Sequence, residues 1–328
     1  MKLAILDDWF DTLRHLPCFA KLDGLDVTVF NDHEPDIGRL VERLKPFDAV
    51  VLFRERTAVP AAVLDQLRKL KLISQRSVYP HVDVDACTRN DVLLCSNMHG
   101  GTPSYAAAEH TWALILTAMR QIPQQMASLQ AGHWQMGVGK TLRGRTLGLY
   151  GYGRIAQAVE GYAQAFGMNV VWWASDAGRD RARADGKSVA ASRVAFFAEP
   201  DVISLHVRLK PTTQGIITSQ DLGQMRPDSL FVNTSRAGLI APGALLAALD
   251  AGRPGRAAID VFDQEPITWA DDPLATHAQV TATPHIGFAT EDEYELQFSD
   301  IFDQVVAYCD GAPIHMINPS VWSQTAAP

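Results

Sequence analysis

Short apolar runs alternate with stretches of helical periodicity along most of the chain. In the first third, Leu3–Leu6, Val27–Phe30, Ala49–Leu52, Leu72–Ser74 and Val92–Leu94 have the length of buried strands. Ile37–Leu44 and Ala61–Leu70, between them, read as helices. Strand and helix in regular alternation predict a parallel sheet with helices on both faces. Residues 97–103, Asn-Met-His-Gly-Gly-Thr-Pro, break the pattern. An alanine-rich helix is predicted from about Pro103, capped by Thr102 or Ser104. Its apolar residues lie on nearly every side, as in a helix buried between two bodies. A second series follows, with strands at Thr146–Tyr150, Asn169–Trp173, Val202–Leu205, Leu230–Asn233, Ala257–Val261 and Val280–Ala282. From Glu291 to Asp310 the chain is acidic and amphipathic. The pattern predicts an α/β protein of two doubly wound lobes, with one large α/β domain as the alternative.

Composition narrows the function more than the fold. With 328 residues, 47% hydrophobic and 20% charged, the chain is neither disordered, collagenous nor a coiled coil. It carries 29 Lys+Arg against 37 Asp+Glu, a net charge of −8, so nothing global favours a nucleic-acid partner. Cys18, Cys87, Cys95 and Cys309 form no CxxC pair and have no metal-like spacing with histidine. The expectation is a reduced, cytoplasmic protein with no metal site. The first apolar run ends at Asp7 and Asp8, and no run approaches the roughly 20 residues of a membrane span. Neither a signal peptide nor a membrane partner is expected.

The segment 146–156, Thr-Leu-Gly-Leu-Tyr-Gly-Tyr-Gly-Arg-Ile-Ala, reads as a strand feeding a helix. Gly151 allows the tight turn, Gly153 lets the backbone approach a pyrophosphate, and Ala156 permits close helix–strand packing. Free N–H groups at the helix start suit the negative charge. Arg154 and Ile155 would cover the pyrophosphate. A second strand follows, which makes this a dinucleotide site rather than a bare glycine turn. The acid for the ribose 2′-hydroxyl is expected at Ala174, with Ser175 and Asp176 just beyond. Arg179, Arg181 and Arg183 could accept a 2′-phosphate or form a solvated helix face. NAD and NADP both stay open, with NAD preferred.

Three further segments end later strands: 233–238 with Thr234, Ser235 and Arg236; 260–266 with Asp260 and Glu265; and 283–287 with His285. Ligands of open α/β sheets bind beyond the carboxyl ends of the strands, so Arg236, Glu265 and His285 are expected to converge there. Each alone has a plain reading, as a surface arginine, a loop acid and a turn histidine. Together they suit reduction of a 2-keto acid. A guanidinium binds a carboxylate through two parallel hydrogen bonds. An imidazole supplies or takes the proton, and a carboxylate beside it favours its protonated form.

On these residues, and on Arg54–Thr57, Leu70–Ile73, Ala108–His110 and Ser204–His206, the sequence resembles the D-isomer-specific 2-hydroxyacid dehydrogenase family. The resemblance covers nearly the whole chain. It implies a flavodoxin-like substrate domain from 1–101 and 287–328, with a Rossmann cofactor domain, 102–286, inserted in it. It implies His285 as acid/base paired to Glu265, Arg236 on the substrate carboxylate, and Asp260 on the nicotinamide carboxamide. Thr234, Ser235 and His206 would stand beside the cofactor. Arg54, Val78 and Tyr79 would touch substrate. A homodimer through the cofactor domain is also implied.

The sequence departs from the family pattern in places. The substrate loop reads Ser77-Val78-Tyr79 where glycines are usual, with His81 close by. Phe288 follows Gly287 where a small residue is common, Ala237 replaces a glycine, and Pro242 replaces an acid, as the expected first turn of a helix. Arg54 and Arg56 flank Glu55, either as a grip on an acidic substrate tail or as a surface ion-pair cluster. Two other classes compete: a dinucleotide-sensing scaffold of the same fold that recognises partner proteins, and another Rossmann enzyme such as an S-adenosyl-dependent transferase. The transferase has no use for the Arg, Glu, His set.

Overall fold

A computed structural model describes residues 1–98, 104–267 and 272–325. The chain divides into two compact units, Met1–Pro103 with Thr290–Pro328, and Ser104–Ala289.

The first unit begins with strands β1 (Lys2–Ile5), β2 (Asp26–Val29), β3 (Ala49–Val51), β4 (Leu72–Arg76) and β5 (Leu93–Asn97) and helices α1 (Ile37–Leu44), α2 (Ala61–Leu64) and α3 (Val84–Arg89). All strand pairs are parallel, in the order β2-β1-β3-β4-β5. That is the flavodoxin-like order, with its switch point between β1 and β3. β3 and all but the first residue of β1 are buried and apolar, because both faces of a parallel sheet are covered. The expected helix over Ala61–Leu70 closes early, at Leu64.

The second unit opens with α4 (Ala106–Arg120) and α5 (Ile122–Gln130). Thr102 and Pro103, expected at the start of the long helix, lie outside the described residues. The described helix starts at Ala106 and stops where Gln121 turns left-handed (φ +55°). Its buried side chains, among them Ala108, Trp112, Leu114, Ile115 and Met119, join the core of its own unit. Next come β6 (Thr146–Tyr150), α6 (Arg154–Ala165), β7 (Asn169–Trp173), α7 (Asp176–Ala184), α8 (Arg193–Ala198) and β8 (Val202–Leu205). The unit continues with α9 (Ser219–Gln224), β9 (Leu230–Asn233), α10 (Ala244–Asp250), β10 (Arg256–Ile259), α11 (Pro273–Thr276) and β11 (Val280–Ala282). Pro242 falls outside α10. Gly243, at φ +71°, precedes that helix and sets its start, so the expected proline first turn is corrected.

The strands of this unit are also parallel, in the order β11-β10-β9-β8-β6-β7. A single parallel bridge, Trp172 to Val189, lies outside β7 where one more strand would stand. Counting it, the order is that of a dinucleotide-binding Rossmann sheet, whose switch point falls between β6 and β8.

The chain returns to the first unit as α12 (Glu291–Cys309), followed by α13 (Ser320–Thr325). Thr290 caps α12 by accepting from Glu293 N, and three acids in its first turn complement the helix dipole. Phe298, Ile301, Phe302 and Val305 bury its inner face. Among the described residues no helix is long and apolar enough to cross a membrane.

Candidate active site

Every candidate segment of the second unit sits at the carboxyl end of its strand. Along that one edge, in steps of roughly 4.8 Å, come the His285 turn after β11, the Glu265 loop after β10 and the Arg236 loop after β9. His206 follows β8, the glycine turn follows β6, and Ala174–Asp176 follow β7.

The glycine turn is built tightly on one side and open on the other. Gly151 has φ +113°, and a Cβ placed on it would stand 2.3 Å from the His206 carbonyl oxygen. The two strand ends flanking the switch point therefore touch through this glycine. Gly153, which caps α6 in an extended conformation (φ −128°), is exposed, and a Cβ there would meet nothing within 4 Å. Arg154 and Ile155 are exposed beside it. Open space over the first N–H groups of a 12-residue helix is what a bound pyrophosphate requires. These residues fit a dinucleotide.

At the end of β7, Ser175 is occupied as the cap of α7, accepting from Gly178 N. Asp176 is 91% exposed and pairs with Arg179. The Arg179 guanidinium lies 4.3 Å over the Trp173 ring and donates to the Ala174 carbonyl at 2.7 Å. His206 bonds through Nε2 to Ser204 Oγ at 2.9 Å, and burial pushes its imidazole down to about 4.

The structure joins His285 and Glu265 directly: Nδ1 and Oε2 are 2.5 Å apart. The other oxygen of Glu265 accepts from Phe262 N at 2.9 Å, which fixes the carboxylate. Phe288 stands edge-on to the imidazole, with ring centroids 5.6 Å apart. His285 itself is left-handed, at φ +53°. Non-glycine residues seldom adopt this conformation, and they do so most often at functional sites. Arg236 is half-buried on the neighbouring loop, donating to the Ser235 carbonyl at 2.7 Å.

The side chains of Asp260, Thr234 and Ser235 bond within the protein. Asp260 is 1% exposed. It accepts from Thr283 Oγ1 (2.6 Å), Ile286 N (2.9 Å) and Gly287 N (2.8 Å), with His110 Nε2 at 3.2 Å. Burial alone would raise its carboxyl, but the bonds from His110 and Thr283 win and hold it below the usual carboxylate range. Thr234 Oγ1 meets Thr111 Oγ1 at 2.6 Å, and Ser235 Oγ donates to the Leu205 carbonyl at 2.7 Å. Both side chains are thus engaged within the protein, and the Ser235 N–H donates to Asn233 Oδ1 at 3.0 Å. The sequence marks His110 only through the resemblance at Ala108–His110, with no site role attached, and Thr111 is one of several polar residues in α4.

In the first unit, Arg54 is left-handed (φ +59°) just past β3, at that sheet's own switch point. Arg56 lies between the Trp9 and Phe53 rings, at 4.2 and 4.7 Å, and donates to the Asp7 carbonyl. Its packing supports the turn. Asp7, buried and left-handed, accepts from Thr57 Oγ1 at 2.6 Å and meets His33 Nδ1 at 2.9 Å. Ser77 has φ +79°, so it adopts the glycine-like conformation without being glycine. Gln75 Nε2 pins the loop by donating to the Ser77 and Val78 carbonyls. Tyr79 packs against the unit's core. Both ring nitrogens of His81 are buried without a hydrogen-bond partner, and burial lowers its imidazole.

Residues 112–287 match the family model described as D-isomer specific 2-hydroxyacid dehydrogenase, NAD binding domain. The chain belongs to the D-isomer specific 2-hydroxyacid dehydrogenase family. The solved structure of an oxidoreductase from Ralstonia solanacearum is 42% identical. It covers 100% of this chain and 98% of its own, with a TM-score of 0.94. The glyoxylate reductase of Thermococcus litoralis is 31% identical over 88% of each chain. The D-3-phosphoglycerate dehydrogenase of Methanocaldococcus jannaschii is 35% identical over 81% of this chain and 50% of its own. The chain thus spans about half the length of such phosphoglycerate dehydrogenases. The second unit is the family's NAD(P)-binding domain, and the first has the flavodoxin-like sheet that accompanies it.

Proposed function

We propose that this family member interconverts a D-2-hydroxy acid and the corresponding 2-keto acid. The observation that carries the reading is the His285–Glu265 pair on the same sheet edge as the glycine turn. When bound, the nicotinamide supplies or takes the hydride. The chain's own residues do the rest. Arg236 grips the substrate carboxylate with a planar, permanently charged fork. His285 Nε2, the ring nitrogen not held by Glu265, gives a proton to the keto oxygen in reduction and takes it back in oxidation. Glu265 fixes the ring's orientation and stabilises the imidazolium that forms during oxidation. Asp260 holds the His285 turn.

The cofactor reading favours NAD. Arg179, the nearest candidate for a 2′-phosphate, is stacked on Trp173 and already paired with Asp176. We also assign a second copy of the chain to the surface of α5. This helix buries none of its residues. Around it Ile122, Met126, Leu129, Trp134 and Val138 are exposed, Trp134 at 76% and Val138 at 89%. Exposed apolar groups on this scale mark an interface.

The test is a panel of short 2-keto acids, glyoxylate and hydroxypyruvate included, assayed with NADH and with NADPH. Turnover is expected, faster with NADH. His285→Ala should lose turnover and keep NADH affinity, and Arg236→Ala should lose saturation by keto acid. Cofactor binding without turnover across the panel would instead favour the scaffold reading. Near-normal rates in His285→Ala would end the acid–base assignment.

A further inference from the structure

Helix α4 lays two neighbouring side chains against two different loops of the site. His110 Nε2 stands 3.0 Å from Thr283 Oγ1 and 3.2 Å from Asp260 Oδ1, at the base of the His285 turn. Thr111 Oγ1 stands 2.6 Å from Thr234 Oγ1, two residues before Arg236.

The protons in both contacts can be assigned by elimination. Thr283 donates its hydroxyl proton to Asp260 at 2.6 Å, so its oxygen accepts and His110 Nε2 must carry the hydrogen. Thr111 donates its own proton back to the Ala107 carbonyl at 2.7 Å, so Thr234 is the donor to Thr111. Each loop is thus tied to the helix by one directed bond.

The His285 turn has little room to ignore that tie. Asp260 receives the backbone N–H groups of Ile286 and Gly287, the two residues after His285. A Cβ on Gly287 would stand 3.0 Å from Asp260 Oδ2 and 3.5 Å from the His110 ring. His285 holds φ +53°, a conformation that persists only when its surroundings over-determine it. His110, Thr283 and Asp260 supply those surroundings on the backbone side, and Glu265 and Phe288 on the ring side.

We propose that His110 and Thr111 are positioning residues that set the His285 turn and the Arg236 loop from one rigid helix, and so fix proton donor and carboxylate grip in register. The inference rests on the roles proposed above for Arg236 and His285. Because the two bonds serve different loops, they predict different kinetic effects, which general loosening of the helix would not produce.

The experiment measures kcat and keto-acid KM in four variants, with NADH affinity and melting temperature alongside. His110→Leu should lower kcat by about 10- to 100-fold, the cost of misplacing a reacting group by about an ångström, with KM nearly unchanged. His110→Gln carries an N–H near the position of Nε2 and should recover most of that loss. Thr111→Val should raise KM by roughly tenfold with kcat nearly unchanged, the pattern of lost carboxylate binding, and Thr111→Ser should restore it. If kcat and KM move together in both positions, or neither moves, or His110→Gln is no better than His110→Leu, the proposal is overturned. Should His110→Leu fail to fold, His110→Asn, whose shorter amide falls short of Thr283, takes its place under the same criteria. A parallel His285→Ala control separates the two failures: turnover there refutes the site reading itself, whereas loss there with no kcat–KM split refutes only the positioning.

Discussion

Two glycines of the same turn should respond to alanine in opposite ways. Gly151 is fixed by the fold. Its φ of +113° strains any side chain, and its Cβ would sit 2.3 Å from the His206 carbonyl oxygen and 2.8 Å from the carbonyl carbon. The backbone strain alone costs of order 1–3 kcal/mol, and the clash is with backbone that cannot rotate away. Gly151→Ala should therefore melt well below the parent with or without cofactor. Gly153 carries neither constraint. At φ −128°, with nothing within 4 Å of an added Cβ, alanine fits the free protein. The poorer helix cap costs a few tenths of a kcal/mol to about 1, and the stiffer unfolded chain returns about 0.4–1. The melting temperature should stay within about 2 °C.

The cofactor meets the difference. A methyl group on Gly153 occupies the space through which a pyrophosphate reaches the first N–H groups of α6. Losing one hydrogen bond to a charged group costs about 1.5–3 kcal/mol, so NADH affinity should fall roughly 10- to 100-fold. The assay is thermal melting with and without NADH, paired with titration of tryptophan fluorescence. Trp172 packs edge-on against Tyr152 between the two glycines, 4.8 Å between ring centroids, so it reports on this turn. Parental NADH affinity in Gly153→Ala would refute the placement of the pyrophosphate. Destabilisation equal to that of Gly151→Ala would refute the claim that the space is free.

Acid should weaken the second unit through His206. An unfolded imidazole takes its proton near pH 6.5, while the folded one resists until about 4. Its stabilising contribution is complete above about pH 6.5 and is lost as pH falls towards 4, at most about 3 kcal/mol. Melting temperature measured from pH 7 to 4.5 should fall less steeply in His206→Gln, and equal slopes would refute the argument. On the α5 surface, Trp134→Ser combined with Val138→Ser should shift the mass measured by light scattering from dimer to monomer. An unchanged dimer would place the interface elsewhere.

Elements whose boundaries are set by local chemistry were legible in the sequence. Thr146–Tyr150, Val202–Leu205, Leu230–Asn233 and Val280–Ala282 are largely apolar runs followed by glycine or polar residues, Asn169–Trp173 is followed by Ala174 and then the helix cap Ser175, and all five strands have those bounds. Parallel strands buried on both faces leave little freedom in where they stop. Boundaries set by distant partners were not legible. Ala61–Leu70 has a helical pattern throughout, yet α2 ends at Leu64 and the chain proceeds by turns to Leu70. The isolated Val189 bridge, which completes the dinucleotide order, has no periodic run to announce it.

The same division runs through the site. Arg236, Glu265 and His285 could be picked out because each follows a readable strand, and parallel topology puts all such ends on one edge. Side-chain direction could not be read that way. Asp260, Thr234 and Ser235 stand at the right strand ends for a cofactor, yet all three side chains satisfy groups within the protein. Each has a donor or acceptor close in space but 23, 123 or 30 residues away in sequence. A sheet of this kind aligns its strand ends without orienting the residues on them. Orientation must come from outside the sheet, and here α4 contributes to it through adjacent residues that reach the Arg236 loop, the His285 turn and Asp260 at the head of the Glu265 loop. That is why the polar pair His110-Thr111, to which the sequence alone assigns no site role, is the first target for mutation, ahead of any exposed residue of the site.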